Sequence, residues 1–304
     1  MLSKNKIHHL TRKELDIEKW NECISSAPNG LIYSYSFYLD AICDNWDAFI
    51  INEYEAVMPL PWRKKAGIKY LYTPPFIQQL GVTGNHEIYD DSALLKKIRE
   101  FYIYGNIFFN YSHSFIQLPA SLKTNYILSL NQPFFKLETC FSNILKKNLK
   151  AAKKNELYFS STDARQIIGS FQKKYRERMP HVHDADFNNF SQLCDQLFSQ
   201  NMLATRIVQN KEKEILAAVI IVMDKKRIYN LINHITASGR KAMANHVLLC
   251  EVIKEFSERD LLFDFEGSDL PGVKEFYEYF GPVNQPYFHY HFNHLPFPLN
   301  LVKK

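Results

Sequence analysis

The chain has 304 residues, 46% of them hydrophobic and 14% aromatic, with only 10 glycines and 13 prolines. This composition is typical of a packed globular protein and argues against long disordered or repetitive segments. The formal net charge of +5 is mild, and the five scattered cysteines never form a C-x-x-C pair, so neither a disulfide framework nor a structural zinc site is indicated.

Membrane and secretory signals are absent from the sequence pattern. No window reaches the roughly 18 uncharged apolar residues that a membrane span needs, and the first residues lack the apolar stretch of a signal peptide. We therefore expect a cytoplasmic protein without a membrane span. Because the length exceeds the usual domain of roughly 100 to 200 residues, two domains are favoured.

Apolar periodicity in the first half predicts strands interspersed with helices. The predicted strands cover residues 6–11, 48–53, 54–60, 69–72, 107–109 and 125–130, and the predicted helices cover residues 16–26, 36–44 and 92–104.

The second half repeats this kind of order more clearly. The predicted helices cover residues 141–155, 164–178, 186–200, 241–258 and 273–279, and the predicted strands cover residues 157–161, 203–209, 215–223, 227–235, 261–265 and 287–292. Short charged turns separate the three central strands, which predicts an antiparallel meander. The helix and buried strand that follow it predict a crossover connection.

The two halves therefore predict an α/β (α+β) protein of two lobes with similar topology. Each lobe is expected to contain a mixed, largely antiparallel twisted sheet flanked by helices. We place the boundary after the strand at 125–130 and Pro133, which gives an N-terminal lobe of residues 1–135 and a C-terminal lobe of residues 136–304.

Three segments of the C-terminal half resemble a known family. Residues 276–281, Phe-Tyr-Glu-Tyr-Phe-Gly, look like the F-Y-x-x-x-G ending of many GNAT acetyltransferases. Residues 262–268 are similar to the preceding strand of Fem-type peptidoglycan aminoacyltransferases, and the basic segment 148–155 resembles the helix that opens their second lobe. The resemblance to Fem-like, two-lobe GNAT proteins implies a degenerate first lobe and a donor site in the second.

The same resemblance implies a binding site for the pyrophosphate of acyl-coenzyme A or acetyl-coenzyme A. GNAT proteins bind it with main-chain N–H groups at the start of the central helix, where free donors meet the positive end of the helix dipole. The matching residues are Gly239, Arg240, Lys241, Ala242, Met243 and Asn245. Met243 and Asn245 stand where the family pattern Q/R-x-x-G-x-G/A has glycine-like residues, so ordinary turn residues opening a helix are the alternative interpretation.

Acyl transfer to an amine needs a neutral amine, a stabilised oxyanion and a protonated leaving group. Tyr277 is the candidate acid by its place in the F-Y-x-x-x-G segment, although a packed aromatic ring is the alternative. Asp264 and Glu266 are candidate bases because they flank the end of a buried strand, where burial raises carboxyl pKa values. Strand alternation places both carboxylates on one face, which could also be a solvated face.

Candidate substrate-binding residues come from two segments. Tyr229, Asn233 and His234 lie on the third meander strand just before the predicted phosphate site, although a structural role is the favoured interpretation of His234. Gln78 and Gln79 follow two prolines that fix the backbone, and they could face a cleft between the lobes or belong to a rigid connection.

Other chemistries have weaker support. The segment 181–186, His-Val-His-Asp-Ala-Asp, contains metal-ligand types but no second ligand set, so no metal is expected. No G-x-S-x-G elbow, P-loop or dinucleotide fingerprint occurs, which argues against hydrolase, kinase and Rossmann functions.

The expected function is therefore N-acyl transfer from acyl-coenzyme A to a small-molecule amine, directly and without a covalent enzyme intermediate. Family analogy suggests a cell-wall or surface-polysaccharide precursor as the acceptor. Aminoacyl-tRNA is the alternative donor, because five lysines crowd one predicted helix, at Lys146, Lys147, Lys150, Lys153 and Lys154. A non-catalytic binding module is a further alternative, because the phosphate-binding stretch departs from the family pattern.

Overall fold

The structure is a computed structural model that describes residues 6–115, 120–176, 181–267 and 269–302. Contacts divide the chain into two compact units. Unit 1 comprises Met1–Lys123 and Pro286–Lys304, and unit 2 comprises Thr124–Gln285.

The first part of unit 1 contains strands β1 to β7 and helices α1 to α3. The strands are β1 (Ile7–Thr11), β2 (Trp46–Ile51), β3 (Ala56–Lys65), β4 (Ile68–Tyr72), β5 (Thr83–Gly84), β6 (Tyr104–Phe109) and β7 (Ala120–Lys123). The helices are α1 (Ile17–Ser26), α2 (Ser36–Ile42) and α3 (Asp91–Phe101). Aspartates begin two of them, because Asp16 and Asp90 accept backbone N–H groups of the first turns of α1 and α3.

Unit 2 follows with strands β8 to β14 and helices α4 to α10. The strands are β8 (Tyr126–Ser129), β9 (Tyr158–Ser160), β10 (Leu203–Gln209), β11 (Ile215–Met223), β12 (Arg227–Ile235), β13 (Leu262–Asp264) and β14 (Val283–Asn284). The helices are α4 (Phe134–Thr139), α5 (Asn143–Ala152), α6 (Ala164–Tyr175), α7 (Asp184–Ser199), α8 (Ala237–Lys241), α9 (Ala244–Phe256) and α10 (Pro271–Glu278). The chain then returns to unit 1 with β15 (Tyr287–Asn293) and α11 (Leu299–Val302).

The sheet of unit 1 has the strand order β1-β2-β3-β4-β6-β15-β7, with β5 paired to β3. The pair β4 and β6 is parallel, and the other named pairs are antiparallel. Every residue of β2 is buried, and the apolar face of α3, with Leu94, Leu95 and Ile98, belongs to the same core.

The sheet of unit 2 has the order β14-β8-β13-β12-β11-β10-β9. Strands β10, β11 and β12 form the predicted antiparallel meander, which is confirmed. The crossover through α9 makes β12 and β13 a parallel pair, also as predicted. Seven consecutive residues of β11 are buried, from Leu216 to Val222, and α9 packs on β10 and β11 with Leu248, Leu249, Val252 and Ile253 in the core.

The predicted fold class is confirmed: each unit is a mixed, largely antiparallel sheet accompanied by helices. The division of the chain differs from residue 135 at two places. Strand β8 pairs with β13 and β14 of unit 2, and β15 pairs with β6 and β7 of unit 1. Residues 124–135 and 286–302 therefore pack with the unit opposite to the predicted one.

Some predicted helix ends were wrong for local reasons. The helix predicted over 241–258 is interrupted at Met243, which has a positive φ of 59°, so that α8 and α9 are separate. The helix predicted over 92–104 ends at Phe101, and Tyr104 already begins β6. The end of the helix predicted over 164–178 lies outside the described residues beyond position 176. Within the described ranges, no helix is long and apolar enough to cross a membrane.

Candidate active site

Strands β12 and β13 separate in the middle of the unit 2 sheet. They pair over three residues, up to Tyr229 opposite Asp264, after which β12 continues to Ile235 whereas β13 ends. The register between β11 and β12 skips Leu231, which marks a bulge just beyond the last pair. The two strands therefore leave a gap at their carboxyl ends, where parallel strands commonly hold ligands.

A cavity of about 480 Å³ opens at this gap, within the range of about 300–1,000 Å³ that is typical of small-molecule sites. Its lining includes polar residues from the end of β12 and the start of α9, and apolar residues mostly from α10. The polar residues are Asn233, Arg240, Asn245 and His246, and the others are Ile235, Leu270, Gly272, Val273, Phe276 and Tyr277. The cavity thus has one polar and one apolar side.

The stretch between β12 and α9 uses several of its N–H groups internally. The Thr236 hydroxyl group accepts the Gly239 N–H at 2.9 Å and so caps α8. The N–H groups of Arg240, Ala242 and Met243 donate to carbonyl oxygens of the same stretch. These four predicted phosphate-binding positions therefore direct their main-chain donors away from a ligand.

Helix α9, in contrast, begins without a side-chain cap. Met243 is its N-cap residue, and no side chain among the described residues accepts its first N–H groups. Such first-turn groups have no partner within a helix, and the positive end of the dipole attracts anions. Because Asn245 and His246 line the cavity, the uncapped turn that starts at Ala244 opens onto it.

Met243 and Gly239 determine the backbone conformation of this stretch. Met243 has the left-handed φ that glycine adopts freely and that costs other residues roughly 1–2 kcal/mol. Gly239 has a packing role, because a Cβ atom there would lie 2.1 Å from the Leu216 carbonyl oxygen. The glycine therefore allows α8 to approach β11 closely.

Positive charge surrounds the polar side of the cavity. Arg240 lines it, and the Lys174 ammonium group donates to the Ile235 carbonyl oxygen nearby. Burial, followed by the charges of Lys174 and Arg240, lowers the pKa of His234 to about 4. His234 is therefore neutral at pH 7, and its environment favours an anionic ligand over a cationic one.

Helix α5 is attached to the same turn. The Asn148 Nδ2 and His246 Nε2 atoms are 3.1 Å apart, and Asn155 Nδ2 donates to the Ala242 carbonyl oxygen at 3.2 Å. The five predicted lysines are exposed on α5 and on the 3-10 turn that follows it, at Lys146, Lys147, Lys150, Lys153 and Lys154. The basic helix thus adjoins the polar side of the cavity.

Asn245 has an unsatisfied acceptor at the cavity. The residue is only 8% exposed, and its Oδ1 atom has no hydrogen-bond partner among the described residues. Leaving a buried polar group unpaired typically costs about 1–3 kcal/mol. A ligand group that donates a hydrogen bond to Asn245 would offset this cost.

Tyr277 lines the cavity as part of a hydrogen-bond chain. Asn233 Nδ2 donates to Asn230 Oδ1 at 3.4 Å, and Asn230 Nδ2 donates to the Tyr277 hydroxyl oxygen at 3.2 Å. The Tyr277 hydroxyl oxygen is thus the acceptor at the end of this chain. Asn230, which the sequence reasoning missed, therefore orients the predicted acid.

The two candidate carboxylates have different surroundings. Asp264 is 1% exposed and forms an ion pair of 2.9 Å with the equally buried Arg227. Its other oxygen accepts the Glu266 N–H at 3.0 Å. Glu266 lies beyond the end of β13 with a φ of 59°, so the expected strand alternation stops at Asp264. The solvated-face alternative is wrong for Asp264.

Glu266 is the second candidate carboxyl group. Its side chain is partly buried, and burial raises its pKa to about 8. It follows Phe265, whose carbonyl oxygen accepts the Asn230 amide at 3.4 Å, so it is adjacent to the hydrogen-bond chain of Tyr277. A left-handed φ at a non-glycine residue commonly marks a functional position.

Tyr229, Gln78 and Gln79 are not among the residues that line the cavity. Tyr229 is fully buried and donates from its hydroxyl group to Asp224 at 2.6 Å. Gln79, in unit 1, is fully buried, and its amide donates to Gln78 at 2.6 Å and accepts the Tyr111 N–H at 3.1 Å. Whether Gln78 and Gln79 face a cleft stays a prediction.

The histidine-rich segment around residue 183 forms the start of a helix. His183 is the N-cap residue of α7, and Asp186 accepts its N–H at 2.7 Å in a capping box. In the parts of the chain that the structure describes, no group of three His, Cys, Asp or Glu side chains could hold a metal ion.

Sequence reasoning missed Asn230, His246 and most of the apolar wall. Asn230 carried a usable signal, because it is a polar residue between Tyr229 and Leu231 and lies three residues before Asn233. His246 and Phe276 had no such signal, since each falls inside an ordinary helical pattern and only the fold brings them to one cavity.

Comparisons with known proteins support the fold by structure alone. No protein-family model and no curated protein sequence matches the chain. The solved structure of FemX is similar with a TM-score of 0.65 and 13% identity over 97% of this chain and 99% of that one.

Two further solved structures are similar at the same low level of identity. L-PGS from Bacillus licheniformis has a TM-score of 0.53 and 12% identity over 94% of this chain and 95% of that one. N-myristoyltransferase from Saccharomyces cerevisiae with bound myristoyl-CoA has a TM-score of 0.50 and 12% identity over 96% and 83%. The chain therefore shares the overall fold of FemX, L-PGS and N-myristoyltransferase.

Proposed function

We propose that this protein is an N-acyltransferase that binds an acyl-coenzyme A, such as acetyl-coenzyme A, in the cavity of unit 2 and transfers the acyl group to a small-molecule amine. One observation carries the proposal. The cavity joins the uncapped start of α9 and Arg240 to an apolar wall that includes Tyr277. A phosphate group at one end and an acyl thioester at the other match this distribution of polarity.

The donor would bind through its pyrophosphate and its amide-containing arm. First-turn N–H groups at Ala244 and Asn245, together with Arg240, would hold the phosphates. The Asn245 oxygen would accept an amide N–H of the arm, which satisfies the acceptor that is unpaired among the described residues. Lys241 is exposed and would add positive charge near the phosphates.

The transfer step would use two proton-carrying groups. The amine nitrogen attacks the thioester carbon, the carbon–sulfur bond breaks, and the amine proton passes to the ionised Glu266. With a pKa of about 8, Glu266 keeps its proton through most of the neutral range and would accept the amine proton once it is ionised, at about pH 8 and above. Tyr277 would protonate the leaving thiolate. Asp264 is committed to Arg227, so we assign it a structural role in this proposal.

Thermal-shift titration of the purified protein with coenzyme A, acetyl-coenzyme A and longer acyl-coenzyme A species tests donor binding. A ligand that binds only the folded state raises the melting temperature with its concentration. Arg240→Ala should weaken the effect about tenfold or more. Arg259→Ala is the matched control, because Arg259 lies beyond the other end of α9, over Phe256, and should leave the titration unchanged. A cooperative melt without any shift at millimolar ligand would refute the coenzyme A proposal.

Aminoacyl-tRNA is a second candidate donor, and the position of α5 favours it. The five lysines adjoin the polar side of the cavity through the Asn148 and Asn155 contacts, so a nucleic-acid end could follow them into the site. Binding of tRNA that falls steeply with salt, and that is lost in a Lys150→Gln, Lys154→Gln double variant, would support this donor. Coenzyme A binding without salt-dependent tRNA binding would exclude it.

An activity assay distinguishes catalysis from a non-catalytic role and tests the acceptor class. We propose an amino sugar of a cell-wall or surface-polysaccharide precursor as the acceptor class, by analogy with Fem-like proteins. Release of free thiol from acetyl-coenzyme A, dependent on an added amine and lost in Tyr277→Phe, would establish catalysis. Donor binding with no thiol release across an amine panel would favour a binding module.

A further inference from the structure

Unit 1 carries an exposed apolar segment near its C-terminal strand that its own core does not use. Phe297 is 80% exposed, Leu301 is 65% exposed and Leu299 is 44% exposed. Isolated exposed apolar residues are ordinary, but three within five positions form a patch. Prolines flank Phe297 on both sides and restrict its backbone, so that the ring is presented by a stiff segment.

A basic hairpin adjoins this segment. Residues of both elements line one largely apolar cavity of about 200 Å³: Lys65, Ala66, Ile68, Tyr70 and Tyr104 on one side, and Leu295 and Leu299 on the other. The tight turn between β3 and β4 has positive φ angles at Ala66 and Gly67, of 49° and 82°. This turn geometry matches the twist of paired strands and makes a well-defined hairpin.

The hairpin supplies positive charge to the patch. Lys64 and Lys65 are exposed, and neither forms an ion pair within the described residues. The neighbouring Lys69, in contrast, is bound to the buried Asp47 and faces the Trp62 ring at 4.0 Å. Lys65 therefore stands beside the apolar cavity, with Lys64 next to it in the chain, whereas Lys69 stabilises the sheet.

Apolar side chains flanked by lysines are the combination that binds an anionic lipid surface. The aromatic and leucine side chains enter the region between headgroups and acyl chains, and the ammonium groups remain at the headgroups. Each lysine near such a surface contributes a factor of about five in affinity at physiological salt. A protein partner with an apolar groove would not need the adjacent unpaired lysines.

We propose that the hairpin–tail surface, defined as Lys64, Lys65, Phe297, Leu299 and Leu301, docks unit 1 on an anionic lipid bilayer. The contact is peripheral and reversible, because the apolar residues are few and the helix α11 has only four residues. The inference is independent of the proposed acyl transfer, since it uses residues of unit 1 and makes no use of the cavity in unit 2.

Vesicle sedimentation tests the proposal with the full chain. The protein should sediment with vesicles of phosphatidylcholine and phosphatidylglycerol and stay in the supernatant with phosphatidylcholine alone. Phe297→Ala with Leu301→Ala should lower the affinity at least tenfold, and Lys64→Gln with Lys65→Gln about twenty-fold. Added salt should weaken binding of the parent protein and have much less effect on the lysine variant.

Matched controls come from unit 2. Phe198→Ala removes an aromatic ring of similar exposure, 70%, and Lys211→Gln with Lys213→Gln removes two exposed lysines of a turn. Both controls should bind vesicles within twofold of the parent. The coenzyme A titration should be the same for all these variants, so that failure of docking and failure of donor binding are separable.

Three results would overturn the proposal. The first is a parent protein that does not sediment with the anionic vesicles, and the second is a Phe297→Ala, Leu301→Ala variant that binds them as well as the controls. The third is a parent protein that dimerises in solution through this surface, seen as a mass by light scattering that falls to the monomer in the same variant. A second copy would then be the occupant.

Discussion

Replacement of Asp264 by alanine distinguishes a structural carboxylate from a catalytic base. In the parent protein the Asp264 and Arg227 side chains are 1% and 3% exposed, and their ion pair is 2.9 Å long. Alanine would leave the guanidinium group buried without its partner charge. It would also remove the acceptor of the Glu266 N–H. Loss of one partner of a buried pair typically costs about 3–5 kcal/mol.

This loss is a large share of the free energy of unfolding, which is usually about 5–15 kcal/mol for a protein domain. Urea unfolding followed by far-UV circular dichroism is the appropriate assay. All three tryptophans, Trp20, Trp46 and Trp62, lie in unit 1, so intrinsic fluorescence would report on the wrong unit. We expect the Asp264→Ala transition of unit 2 to move to clearly lower urea concentration.

A double replacement provides the control. Arg227→Met with Asp264→Leu removes both charges and keeps the volume approximately, so it should recover most of the stability that Asp264→Ala loses. If Asp264→Ala unfolds within about 1 kcal/mol of the parent and loses acyl transfer, the ion-pair reasoning is refuted and Asp264 becomes a candidate catalytic residue.

Four further predictions concern the cavity and unit 2. Gly272→Leu should abolish the coenzyme A thermal shift without lowering the melting temperature of the free protein, because Gly272 lines the cavity and an added Cβ meets nothing within 4 Å. Met243→Gly should raise the free energy of unfolding by about 0.5–1 kcal/mol in urea titrations, since it relieves the left-handed φ at a cost in chain entropy. Gly169→Ala, on the exposed face of α6, should raise the free energy of unfolding by about 0.5–1 kcal/mol in the same assay, because an added Cβ meets nothing within 4 Å. An unchanged free energy of unfolding would contradict this reasoning. Parent stability should fall between pH 4.5 and 8 by at most about 1.4 kcal/mol per pH unit on account of Glu266, because the folded state keeps a proton that the unfolded state releases; urea titrations of Glu266→Gln at several pH values should show a smaller fall.

The regular elements of unit 2 were predictable because each has a local signal. The meander strands are apolar runs bounded by charged turns, and α9 has a continuous apolar face that only a long helix produces. It was harder to predict which of the two units β8 and β15 would join. Their strand character is local, but their partners, β13 for one and β6 for the other, are far away in sequence. The sequence of a short strand does not indicate which strand, far away in the chain, it will pair with.

The candidate site was predictable only in part, for a related reason. Arg240, Asn245 and Tyr277 lie at the cavity because they belong to helices α8, α9 and α10, which follow β12 and β13, and the order of elements determines that position. The state of a carboxylate, in contrast, depends on its distant partner. Asp264 and Glu266 are two residues apart, yet Arg227 forms an ion pair with Asp264, whereas burial raises the pKa of Glu266.

The start of α9 shows how a motif can lose its residues and keep its geometry. A glycine at position 243 would adopt the left-handed conformation at little cost, and Met243 adopts it nevertheless because the hydrogen bonds of α8 and the first turn of α9 hold both sides. What binds a phosphate at such a site is the set of unpaired N–H groups, and side chains matter only where they block them. The Asn245 Oδ1 atom has no hydrogen-bond partner among the described residues. We therefore expect the backbone path at position 243, more than the presence of glycine there, to determine whether this cavity can bind the proposed donor.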